Sequence, residues 1–80
     1  MLTNLKDTKK VVGIKQARRA INNGEIQTVY IAEDAEPKVV QDIIHLCNEK
    51  SIEIIYASSM KELGKACGID VSAAVAAILK

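Results

Sequence analysis

Lys15, Arg18, Arg19 and Asn22 recur at spacings of three, four and seven. A helix through them presents an ammonium, two guanidinium forks and an amide on one face. Gln16 flanks the same end of that helix. Cationic forks bind phosphate, and beside an amide side chain they are also suited to guanine and adenine edges. Gly13 opens the segment, so the free N–H groups of the first turn add a partial positive charge that favours an anion. The opposite stripe, Ile14, Ala17 and Ile21, is the part such a helix buries.

The charge is concentrated at this end. Residues 1–20 carry six Lys and Arg against Asp7 alone, whereas residues 21–80 carry five basic and nine acidic side chains. A total of +1 therefore conceals a strongly cationic end. That is the electrostatic footprint of a chain that meets phosphate, although a solvated basic helix serving only solubility leaves the same imprint. Tyr30 and Tyr56 are the only aromatics, too few for a platform that stacks unstructured single strands.

Other chemistries find less support. Cys47, Cys67 and the lone His45 match no zinc spacing, and no Gly-rich phosphate loop is present. Glu33, Asp34 and Glu36 cluster at a strand-to-helix turn, where capping accounts for them. No catalysis, cofactor or metal is expected. Both cysteines fall on apolar helical faces and read as buried structural thiols, with a disulfide or redox role as the alternative. No signal peptide is recognisable and the apolar runs are too short to span a bilayer, so a cytoplasmic setting is expected.

The elements that must position the basic face follow from local signals. Eighty residues without repeats or linker compositions suggest one domain over 1–80. Residues 2–9 read as a short polar helix, and Val11-Val12 as a brief apolar step ending at Gly13. The basic helix runs from about 14 to 23, stopped by Asn23-Gly24. Residues 28–32 are a continuous β-prone run, as in a strand covered on both faces. Pro37 suits the first turn of a helix whose apolar face, Val39 to Cys47, extends to about residue 49. A second strand spans 52–56, and Ser59 with Glu62 forms a capping box for a third helix ended by Gly68. Residues 73–79 are ambiguous: alanine propensity favours helix, while Val75, Ile78 and Leu79 fit a central strand. The alternation predicts an α/β three-layer domain with a small central sheet.

At this point Gly13-Ile14-Lys15-Gln16-Ala17-Arg18-Arg19 resembles the Gly-x-Asn-Glu-x-x-Lys signature of the kink-turn-binding ribosomal protein L-seven-Ae and L-thirty-e family. Residues 31–37, 46–50 and 61–68 agree with that family in order and spacing, so the resemblance covers essentially the whole chain. Its short length and its Lys-Gln in place of Asn-Glu are similar to the small bacterial members of YbxF type. The resemblance implies an α/β/α sandwich on a small mixed sheet, with residues 74–79 as a strand. It also implies an RNA partner bent into a kink-turn, whose tandem sheared G·A pairs follow a three-nucleotide bulge. A-form RNA hides its base edges in a deep, narrow groove, which the kink opens to a short helix.

By the same resemblance, Gly13, Lys15, Gln16 and Arg19 inherit RNA-contacting positions. Arg19 is expected at guanine O6 and N7, Gln16 at a neighbouring base edge, and Lys15 mainly at a phosphate. Glu36 takes the position that hydrogen-bonds the extruded bulge base, Val40 lies beneath that base, and Ile69, Asp70 and Val71 belong to the loop that closes over it. Ordinary capping of a helix end by Ile69 and Val71 is the competing reading. Met60 and Val71 stand where several relatives carry basic residues. The expected partner is ribosomal RNA or riboswitch RNA rather than DNA or a membrane, the protein acting as a monomer, with ribosome association among the expectations. The alternative is a protein-interaction module on the same fold, since a fold does not fix function.

Overall fold

The structure, a computed structural model, describes Leu5 and residues 8–80. Along these residues run β1 (Lys10–Val12), α1 (Ile14–Asn22), β2 (Ile26–Ala32), α2 (Pro37–Glu49), β3 (Glu53–Ala57), α3 (Met60–Ala66) and β4 (Val75–Leu79). The helix expected over residues 2–9 falls largely outside the described residues; Thr8 and Lys9 are not helical. The other expected elements are present, with ends displaced by one or two residues.

The strand order is β1-β4-β2-β3. β4 runs antiparallel to both β1 and β2, while β2 and β3 are parallel, so the sheet is mixed. A parallel pair needs a long crossover, which α2 supplies. α1 and α2 pack on each other, and α3 packs against β2, β3 and β4, giving the three-layer α/β/α sandwich. On β2, Val29 and Ile31 point to one face and Tyr30 and Ala32 to the other, and all four are buried. β4 settles the ambiguous tail as a strand. Its Val75, Ala76 and Ala77 are wholly buried between two neighbouring strands, and that tertiary environment overrides the helical propensity of alanine.

Among the described residues, Ile21 from α1, Ile43 from α2, Ile31 from β2 and Leu63 from α3 are the largest fully buried side chains. Each contributes about 1.5–3 kcal/mol relative to exposure. Cys47 and Cys67 are buried free thiols, as the apolar spacing indicated. Burial pushes both thiols above their ordinary pKa; at Cys67 the Lys10 ammonium opposes this.

Capping is arranged differently from expectation at one turn. At α3 the amide of Glu62 donates to Ser59 Oγ at 3.0 Å, which is one half of the predicted capping box. Glu36 is the N-cap of α2 but makes no side-chain cap hydrogen bond. Pro37, the first residue of α2, has no N–H to donate. Asp34 turns away from α2 altogether: its Oδ1 accepts from the amide of Met60, at 2.7 Å, and so caps α3. Among the described residues no helix is long and apolar enough to cross a membrane.

Candidate nucleic-acid interface

The registers bring three strand ends to one edge of the sheet. Val12 lies opposite Ala76, Ile31 opposite both Val75 and Tyr56, and Ala32 opposite Ala57. β1, β2 and β3 therefore finish where β4 begins. In open α/β sheets the carboxyl ends of the strands form the usual binding edge. This edge holds the start of α1, the turn 33–36, the turn 58–59 and the end of the loop 68–74, so Gly13, Lys15, Gln16 and Glu36 share it. Ile69 lies beyond the far end of α3, its N–H donating to the Gly64 carbonyl. The chain returns to the edge through Asp70 and Val71 to Ala73, whose N–H donates to Met60. Arg19 lies one turn further along α1.

Backbone hydrogen bonds fix these segments to one another. Gly13 N–H donates to the Val75 carbonyl at 3.0 Å, and Ala32 N–H to Ala74 at 2.9 Å. Glu33 N–H donates to Ala57 at 2.8 Å, and Ala73 N–H to Met60 at 3.0 Å. The edge is thus a stitched frame rather than a set of loose loops.

Gly13 has φ 111° and ψ 156°, a region open in practice only to glycine. It lets the chain leave β1 and enter α1 with no side chain at the N-cap and no acid in the first turn. No side-chain cap hydrogen bond and no carboxylate of the first turn neutralises the positive end of α1, which favours an anion there. A Cβ at this position would also come within 2.8 Å of Gln16 Oε1. Gly13→Ala is therefore expected to cost about 1–3 kcal/mol from backbone strain and to displace Gln16. Denaturant unfolding of the variant measures the first effect; unchanged stability would mean that the conformation of Gly13 is not required.

Along α1, Ala17, Ala20 and Ile21 are buried, while Lys15, Gln16, Arg18, Arg19 and Asn22 are exposed. Lys15, Arg18, Arg19, Asn22 and Asn23 line a shallow open depression of about 420 Å³. Arg18 reaches across to α2, where its Nη2 lies 3.4 Å from Asp42 Oδ2. Asn23 was not among the residues singled out by spacing. It closes the helix as its C-cap, a position that periodicity of the face does not mark.

The second group of expected residues is divided. Glu36 is exposed at the start of α2, whereas Val40 is only 5% exposed and offers a floor rather than a free side chain. Val40 lines an apolar hollow of about 360 Å³ with Ile31, Pro37, Ile44 and Tyr56. Glu36 and the 69–71 loop do not line this hollow. Tyr56, 53% exposed at its rim, drew no attention as a site residue because nothing in its sequence context separates it from a strand residue of the core. In the loop the two apolar residues part company: Ile69 packs against the core, which fits helix-end capping, while Val71 is 69% exposed. Asp70 is exposed beside it.

Comparison with known proteins adds to this geometry. The model of the ribosomal protein L7Ae/L30e/S12e/Gadd45 family matches residues 1–80. An RNA-binding protein of Caldanaerobacter subterraneus is 55% identical over 69 residues, covering 86% of this chain and 84% of the relative. The RNA-binding protein YbxF of Geobacillus stearothermophilus is 43% identical over 72 residues, covering 90% of this chain and 88% of the relative. Among solved structures, the Giardia lamblia 15.5kD RNA binding protein superposes with a TM-score of 0.84 at 32% identity. That superposition covers 90% of this chain and 61% of the Giardia chain.

Proposed function

This chain belongs to the ribosomal protein L7Ae/L30e/S12e/Gadd45 family, and we propose that it binds RNA and stabilises the kink-turn through the edge of the sheet where α1 begins. The observation that carries this reading is the exposed Lys15, Gln16 and Arg19 on a helix whose positive end is uncapped. The names of the relatives as RNA-binding proteins support the broader half of it. The narrower half rests on the signature positions and on the breadth of the face. Arg19 offers a bidentate fork for guanine O6 and N7, Gln16 an amide for a neighbouring base, and Lys15 a point charge for phosphate. The resemblance assigns the extruded base to exposed Glu36 and to the loop of Asp70 and Val71, beside the hollow that Val40 floors.

The mechanism needs no bond making. Protein bound more tightly to the bent RNA than to the open form shifts the RNA between two populations, by no more than the difference in affinity. With about four phosphates neutralised, affinity falls with salt at a log–log slope of roughly −3.

The experiment is a titration against a kink-turn RNA and a twin in which Watson–Crick pairs replace the G·A pairs, each carrying end labels. Strong preference for the first, with the labels drawing together, is the expected result. Equal, salt-sensitive binding to both would reduce the site to a basic patch. Absence of binding to either would move the function to a protein-interaction module.

A further inference from the structure

We propose that Arg18 is a phosphate-binding residue held by Asp42 in the free protein, and that RNA displaces the carboxylate. The proposal rests on the RNA-binding reading above and concerns the same face. Arg18 falls at one of the unspecified positions of the Gly-x-Asn-Glu-x-x-Lys pattern, so the resemblance assigns it nothing.

Two observations place it in the site. Its side chain lines the depression that also contains Lys15, Arg19 and Asn22, so a backbone lying along α1 passes within its reach. Its contact with Asp42 is a single one at 3.4 Å, between side chains 45% and 70% exposed. An exposed ion pair with one long contact is weakly held. A phosphate offers the guanidinium paired acceptors and a fork-to-fork geometry that one carboxylate oxygen at this distance does not. Exchange of partners keeps the cation paired throughout, so the switch carries no buried-charge penalty. Asp42 consequently competes with RNA for Arg18 and lowers the affinity of the face.

The test uses the full chain and its Arg18→Ala, Asp42→Asn and doubly substituted forms, titrated over a range of salt against the kink-turn RNA and its Watson–Crick twin. Arg18→Ala is expected to weaken binding to both RNAs by about fivefold and to flatten the log–log salt slope by about one. Asp42→Asn is expected to tighten binding about threefold, and to do nothing once Arg18 is absent. Melting temperatures should stay near that of the parent, because both groups are exposed. The proposal is overturned if Arg18→Ala leaves affinity and slope unchanged. It is equally overturned if Asp42→Asn tightens binding as much without Arg18 as with it, since that gain would come from net charge alone. Failure of the kink-turn reading looks different: the parent protein then binds both RNAs alike, while the Arg18 effects on phosphate stay measurable. A parent that binds neither RNA overturns both.

Discussion

Arg19→Ala is expected to weaken kink-turn binding by about 10- to 100-fold, the worth of about 1–3 kcal/mol for a bidentate contact to guanine. On a plain duplex the same substitution removes only one charge from an exposed face, a loss of a few-fold that salt suppresses. The difference between the two losses separates reading a base from attracting a backbone. Gln16→Ala should show the same pattern with a smaller amplitude, because its amide carries no charge. Folding should be untouched in both, since Gln16 and Arg19 are exposed and Ala is the best helix former. Parallel titrations against the two RNAs measure the ratio. Equal losses on both would leave α1 as a source of charge alone.

The second large effect is on the frame behind the site. Gly64 lies in α3 and is buried, and a Cβ there would overlap the carbonyl oxygen of Val71 and stand 3.0 Å from Ser72 Cα. Two contributions oppose each other in Gly64→Ala. Alanine gains about 1 kcal/mol of helix propensity over glycine. Overpacking against backbone costs typically 1–3 kcal/mol and more where nothing can move. Steric cost wins here because the obstructing loop is tethered on both sides. Ile69 N–H donates to the Gly64 carbonyl at 3.1 Å, and Ala73 N–H to Met60 at 3.0 Å. A net loss of about 2 kcal/mol is expected, which lowers the melting temperature of a chain this size by about 10 °C. Thermal unfolding checks it. A rise in melting temperature would show that the loop carrying Asp70 and Val71 can retreat without loss.

Where a signal is local, the sequence carries it. Pro37 marks the start of α2, Ser59 caps α3, and the three-four-seven spacing of Lys15, Arg18, Arg19 and Asn22 leads to the exposed face of α1. Where a feature joins distant segments, nothing local records it. Asp34 and Met60 are 26 positions apart, Arg18 and Asp42 are 24 apart, and neither pair has a periodicity to find. Capping accounts for the carboxylates of the turn 33–36 in the sequence, and Asp34 does cap a helix, but it is α3, across the edge of the sheet. β4 was legible only through family resemblance, because its alanines speak for helix and only burial on both faces makes them strand. Closure over a base and helix-end capping compete for the loop in the sequence, and the structure divides them: Ile69 packs against the core as capping requires, while Val71 stays exposed. Two apolar residues of one loop, separated only by Asp70, can thus have opposite fates, decided by a tertiary contact rather than by composition.

The last strand in chain order stands second in the sheet, between β1 and β2. During synthesis, β1 and β2 leave the ribosome as separate edges with no strand to join them. Their pairing waits for residues 75–79, and the tether from Gly13 to the Val75 carbonyl waits with it. A growing chain can therefore carry the whole of α1, with every cation in place, before the frame that aims them exists. Contacts between elements as far apart in sequence as β1 and β4 are slow for a polypeptide to make, because the loop between them must close first. Recognition by this face therefore depends on residues 75–79 as much as on the cations of α1.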